Sequence, residues 1–318
     1  MIILHVASEV SPFSQSGGLA QVASALPAAL AAQGHELLVL SPLYRSTKAQ
    51  LERGGHALRP LGAELRIDLG SQVHECGLSV LDAVAGAPRH IFVDAPYFFD
   101  RDGLYGDEHG EFGDNAQRFA LLSLAAIEAI RDGHLPTPDV VHCHDWQTGL
   151  LPLLLETRAP ELRRKLRTVF TIHNLAYQGV FPKSLMDELE LPWSTFTMQG
   201  LEFYDQVNSL KAGVAFSDAT TTVSERYAEE ILEPVFGCDL HDFLRYDCQR
   251  LLGIRNGIDV EEWNPAEDET IAVLSQEGPF NWLDDDGYYV DQGTIEPWST
   301  EALITAEGDF QITVHHDI

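Results

Sequence analysis

The sequence predicts an α/β protein on a doubly wound, mostly parallel sheet. Two observations lead there. Short apolar runs of strand length alternate with segments whose apolar residues recur at helical spacing. A glycine-containing loop, Pro12 to Gly18, separates the first such run from the first such helix. Ligands of parallel sheets sit at the carboxyl ends of the strands, so the residues found there come first as site candidates.

Ile2 to Ser8 begins the series as an apolar strand. Leu19, Val22, Ala23, Leu26, Ala29 and Leu30 then share one helical face, weakened locally at Pro27 and ended at Gly34. Glu36 to Ser41 is the next strand, which completes a βαβ unit. Val73, Cys76, Leu78 and Val80 suggest an additional strand within 70–82, and His90 to Asp94 another. Asp114 to Ile130 reads as a helix, Asp139 to His144 as a strand, Thr148 to Leu155 as a helix and Arg167 to His173 as a strand. A helical pattern covers 200–216, read as packing together with Pro96–Phe99. Ala219 to Ser224 is the last strand, and Ser224 is placed to cap the helix that follows. The pattern covers about 1–260. Later segments, such as 282–289 and 310–314, look like short strands or turns.

The 318 residues are 45% hydrophobic and 22% charged, which suits a globular chain rather than a disordered one. The 20 Lys+Arg face 49 Asp+Glu, a formal charge of −29. That balance argues against nucleic acid or an anionic membrane as partner, since both are held by basic residues. No basic residue follows Arg255, so much of the imbalance lies in the last fifth of the chain. Cys76, Cys143, Cys238 and Cys248 lack metal-ligand spacing and are expected as buried free thiols. The N-terminus lacks a basic, apolar leader and no run is long enough to span a membrane, so a cytoplasmic location is expected.

Candidate chemistry clusters at the strand ends. Gly17 and Gly18 would let a ligand approach the backbone at a helix start whose N–H groups are free, or simply form a tight turn. Glu9 could be a general base or a loop anchor. Asp145 and Trp146 follow His142 and His144, which share one face of their strand. A carboxylate beside an indole suits a sugar, and equally suits a cap beside a core aromatic. His173 and Asn174 end the neighbouring strand, and Asn174 can both donate and accept. Asp284 to Asp286 reads as a solvated turn without calcium-loop spacing.

Together these stretches resemble the bacterial glycogen synthase and plant starch synthase family. The matches run from Ala7-Ser8-Glu9 and Gly17-Gly18-Leu19 through Asn115, Arg118-Phe119 and His144-Asp145-Trp146. They continue through His173-Asn174-Leu-Ala-Tyr177-Gln178-Gly179, Leu210-Lys211-Ala212-Gly213 and Asn256-Gly257-Ile-Asp259 to Trp263-Asn264-Pro265. The resemblance implies a retaining glucosyltransferase of two Rossmann-like domains, the GT-B arrangement, that moves glucose from ADP-glucose to an α-1,4-glucan without metal or cofactor. It implies that Gly17 and Gly18 approach the diphosphate, that His173 and Asn174 lie by the transferred glucose, and that His144, Asp145, Trp146 and Tyr177 line the glucan side. Gln15 stands where the family carries a loop Lys, and Gln21 where it carries an Asp. The match ends near residue 265, so the expected organisation is an N-terminal catalytic domain over 1–265 and an acidic tail over 266–318. The family's diphosphate-binding Arg and Lys come from a second domain, so this chain is expected to be impaired alone or to need a separate C-terminal half. A non-catalytic glucan-binding module and an inactive fragment are the alternatives.

Overall fold

Ile2–Val6, buried on both faces and apolar except at His5, runs down the middle of a nine-stranded sheet. Such a run is what a strand covered by helices on both sides requires. We describe a computed structural model covering residues 1–81, 86–257, 301–304 and 310–313. In spatial order the strands are Leu251–Gly253, Ala219–Thr222, Arg167–Ile172, Val140–His144, Ile2–Val6, Glu36–Pro42, Arg89–Asp94, Gln72–Leu81 and Leu58–Leu69. The first seven pair in parallel, and the last two close one edge as an antiparallel hairpin. The doubly wound, mostly parallel prediction is therefore met.

Gly18–Ala32 is a single helix despite Pro27, and Asn115–Arg131 lies almost wholly buried across the sheet. Glu225–Glu230 starts at Ser224, whose hydroxyl accepts from the Tyr227 N–H. Chain 200–216 differs from the expectation. Glu202–Phe203 and Gln206–Asn208 pair as a small hairpin, and only Ser209–Phe216 is helical. Tyr204 and Asp205 take positive φ at the turn, and the Asn208 side chain accepts from the Lys211 N–H and so starts the helix there. The apolar spacing was real, since Leu201, Val207, Leu210 and Val214 are buried, but it spans two kinds of element.

The strand Leu58–Leu69 was not foreseen. Gly62 and a register shift between Pro60 and Glu64 break its alternation. In Pro96–Phe99, Phe98 and Phe99 are core but Tyr97 is exposed. Cys76 and Cys143 are buried free thiols as expected, whereas Cys238 is exposed.

The chain divides into a unit Met1–Gly257 and a second, Ile258–Ile318. In the second, Glu301–Ile304 and Phe310–Thr313 form an antiparallel pair, so of the strand or turn expected at 310–314 the strand is found. The boundary expected at 265, the motif residues from Asp259 to Pro265 and the Asp284–Asp286 turn lie outside the described residues.

Candidate functional site

Three neighbouring parallel strands, Ile2–Val6, Val140–His144 and Arg167–Ile172, deliver the candidate residues to one edge of the sheet. After the first strand comes the glycine loop. Glu9 is buried beneath it and answers its own ambiguity: it is the anchor. Its carboxylate accepts from the Ser16 N–H, from the Ser16 hydroxyl at 2.9 Å and from the Tyr105 hydroxyl at 3.0 Å. Tyr105 also meets the Ser8 hydroxyl at 2.7 Å. Arg118, fully buried, donates to the carbonyls of Phe98 and Leu104 and to Asn115 Oδ1. The family motif residues Asn115 and Arg118 thus fix the segment that carries Tyr105 to Glu9.

Above this anchor Gln15, Ser16, Gly17 and Gly18 are exposed. A side chain added at Gly17 or Gly18 would meet nothing within 4 Å, and neither residue has positive φ. Packing within the described residues therefore does not demand glycine at either position. What glycine adds is a bare backbone at the start of a 15-residue helix, open to close approach.

Asp145 follows the second strand with φ of 55° and is buried. Its Oδ1 accepts from the His173 N–H at 2.7 Å, which ties the ends of two strands together. Burial pushes the Asp145 carboxyl up to about 7, against the opposing pull of the His173 and Asn174 backbone N–H groups. Trp146 is only 8% exposed. Phe119 meets it edge-on, Phe181 and Tyr105 pack around it, and Gly179 lies against its ring. The indole is core beneath the site and not an open platform.

The loop after the third strand carries the exposed residues. Tyr177 is 64% exposed, Asn174 is exposed, and His173 is half-buried. Asn174 Oδ1 accepts from the Ala176 N–H at 3.0 Å, which leaves its amide donors unspent on that turn. The loop is held from behind: the Leu175 N–H donates to the Tyr227 hydroxyl, and Gln178 bridges the Cys238 carbonyl and Asn208. His144 is fully buried and touches His173, Nδ1 to Nε2, at 3.0 Å.

Sequence reasoning missed His5, because nothing local links a residue of the first strand to the HCHDW stretch 137 positions later. The parallel register does so by setting His5 against His142. Among the described residues, His5, His142 and His144 each bring one possible ligand atom within 4.8 Å of the others. Their geometry suits a cation poorly. The His142 and His144 rings stack at 4.2 Å and 27°, so their in-plane lone pairs run side by side instead of converging. His142 Nε2 also meets Thr171 Oγ1 at 2.7 Å.

A family model described as the starch synthase catalytic domain matches residues 2–246. The chain belongs to that family. A glycogen synthase of Myxococcus xanthus is 48% identical over 276 residues, which cover 84% of this chain and 55% of that protein. A glycogen synthase of Koribacter versatilis is 44% identical, with 86% and 55% covered. Among solved structures, the catalytic domain of starch synthase IV from Arabidopsis thaliana bound to ADP and acarbose matches with a TM-score of 0.71 at 30% identity. That match covers 84% of this chain and 53% of that one. The chain thus spans about half the length of the family members it matches. Among the described residues no helix is long and apolar enough to cross a membrane.

Proposed function

We propose that the chain carries the acceptor side and the glycine loop of a retaining glucosyl transfer. In that reaction glucose moves from ADP-glucose to the 4-hydroxyl at the non-reducing end of an α-1,4-glucan. The observation that carries the reading is the division at the strand ends. Exposed, flexible-donor residues (Asn174, Tyr177 and the bare Gly17–Gly18 backbone) stand over a buried, fully committed frame (Glu9, Asp145 and Trp146). Family membership and relatives named glycogen synthase support it.

In this reading Gly17 and Gly18 admit the diphosphate to the helix start, and Gln15 offers it a neutral hydrogen bond. His173 and Asn174 contact the transferred glucose. Tyr177 stacks on the glucan, with His144 and Asp145 behind it and Trp146 below. Positive character develops at the sugar and negative charge on the leaving phosphate, so donors aimed at that phosphate lower the barrier. No metal or other cofactor is invoked. The chain has no Lys or Arg before Arg45, so the loop brings no cation of its own. We therefore expect the phosphate charge to be met by basic residues of another domain or chain, and little glucose transfer by these 318 residues alone. The cytosol, where ADP-glucose and glycogen would be met, is the proposed location.

Affinity electrophoresis in glycogen-containing gels tests the glucan half of the proposal. The folded chain should be retarded, and Tyr177→Ala should remove most of the retardation. Equal migration with and without glycogen would sink it. Labelled ADP-glucose incorporation tests the other half. Robust transfer by the chain alone would overturn the need for outside cations. Gln15 in place of a cation favours a second reading, glucan binding without turnover, which predicts retardation but no transfer even when a family C-terminal domain is supplied.

A further inference from the structure

Three imidazoles run inward from the rim in single file. His173 Nε2 lies 3.0 Å from His144 Nδ1, and His144 Nε2 lies 3.2 Å from His5 Nδ1. Both separations are hydrogen bonds. The His5 and His144 planes differ by 17°. His142 stacks on the His144 ring, lies tilted at 44° against the His5 ring, and is pinned to Thr171 Oγ1, which in turn meets Thr221 Oγ1 at 2.6 Å. The file is therefore covered from one side by a ring that takes no part in it.

Burial holds all three rings in the neutral form: it takes His5 down to about 3 and His173 to about 4, and it is the main cause that lowers His144. A neutral imidazole has one N–H and one lone pair. Three in file then have two self-consistent states. In the first every proton sits on Nδ1: His5 donates to His144, His144 donates to His173, and His173 keeps its N–H on the nitrogen not engaged with His144. In the second every proton sits on Nε2, the direction reverses, and the file ends with an N–H on His5 Nε2. That atom is buried and has no hydrogen-bond partner among the described residues. An orphaned buried N–H is rarer in folded proteins than an unshared lone pair.

We infer that His5 and His144 fix the tautomer of His173, so that His173 meets its ligand as a donor through Nδ1. The ligand atom it selects is an acceptor oxygen, as on a sugar hydroxyl or a phosphate. His5 is then a positioning residue, acting on the site through His144 without touching a ligand. Only the identity of that oxygen rests on the glucan reading. The tautomer itself does not.

Two-bond proton–nitrogen correlation spectra of the ¹⁵N-histidine-labelled full chain at neutral pH read each ring's tautomer, with signals assigned from His→Gln chains. His173 should be in the Nδ1–H form by about ten to one or more, a ratio equivalent to about 1.4 kcal/mol. His5→Asp puts a carboxylate acceptor where the donor stood, so His144 turns its N–H towards position 5 and the minor form of His173 should rise several-fold. His5→Asn keeps an amide donor near the same place and should restore the original ratio. A purely structural His5 would lower stability in His5→Asp while leaving the His173 ratio unchanged, and that result would overturn the inference. So would an Nε2–H or evenly mixed His173 in the unaltered chain, which decides the matter even if His5→Asp does not fold. An intact tautomer without glycogen retardation would remove the glucan reading and leave this one standing, and the converse result would do the reverse.

Discussion

The buried frame and the exposed rim of the site are built on opposite terms. Beneath the rim Glu9 spends its carboxylate on Ser16 and Tyr105, Asp145 spends an oxygen on the His173 backbone, and Trp146 is enclosed by aromatic rings. On the rim Gln15, Gly17, Gly18, Asn174 and Tyr177 are exposed. Buried polar groups have to be satisfied at home, whereas exposed ones can be held for a ligand. Residues of the frame should therefore show their loss as stability, and residues of the rim as binding. Each prediction below presses on that division.

The largest expected effect is on acid stability of the frame. Burial lowers His5, His142, His144 and His173. A histidine lowered on folding contributes stability that is present above its ordinary value of 6.5 and is lost as pH falls towards its folded value. Asp145 works the other way. Its carboxyl is raised from 3.8 to about 7, so its contribution is present below 3.8 and lost as pH rises through about 7. Each unit of displacement corresponds to about 1.4 kcal/mol, and four rings outweigh one carboxyl. The urea midpoint should fall steeply between pH 6.5 and 4.5, and more steeply in Asp145→Asn. A flat midpoint across that window would mean that the rings can take protons without the frame opening.

Next in size is Gly179→Ala. Gly179 has a φ of +60°, and a Cβ there would come within 2.5 Å of the Trp146 ring. A left-handed alanine costs about 1 kcal/mol and displacing a packed ring about 1–3 more. Urea unfolding should lose about 3 kcal/mol. A loss below about 1 would show that the loop lifts off Trp146 easily, and glycogen retardation should then weaken as well.

Glu9→Gln sharpens the contrast within one loop. The change keeps the shape and removes the charge behind the bonds from Ser16 and Tyr105, which should cost about 1.5–3 kcal/mol if those bonds are charge-assisted. Amide exchange should quicken at Ser16 to Gly18 and not at Asn174 to Tyr177. Equal quickening in both loops would mean that the two sides of the site are not separately anchored.

How much could be read beforehand follows the same division. The parallel strands and the helices Gly18–Ala32 and Asn115–Arg131 were legible because burial on a repeating element writes a period into the chain. The grouping of the candidate residues was legible because His173 and Asp145 stand at neighbouring strand ends. Three things were hidden. The edge strand Leu58–Leu69 loses its alternation at a bulge, and helical spacing ran unbroken across the Glu202–Asn208 hairpin although the backbone does not. For Trp146 a sugar platform and a core aromatic stood equal in the sequence, because composition cannot tell which ring faces are covered. His5 and Tyr105 entered the site only through contacts 139 and 96 positions away, which no local window contains.

Gln15→Lys should have the smallest effect, and its test is the cleanest because the residue is exposed and its change should leave stability within about 0.5 kcal/mol. A lysine there adds a charge beside a loop that has none. Charge-assisted hydrogen bonds are about twice as strong as neutral ones, so ADP should bind several-fold more tightly, and the gain should shrink as salt is added. Glycogen retardation should not change, since Tyr177 rises from a different strand end. If ADP affinity is unmoved while the fold is intact, the glycine loop does not meet a diphosphate in this chain, and the rim divides into a working glucan side and a loop that has lost its ligand.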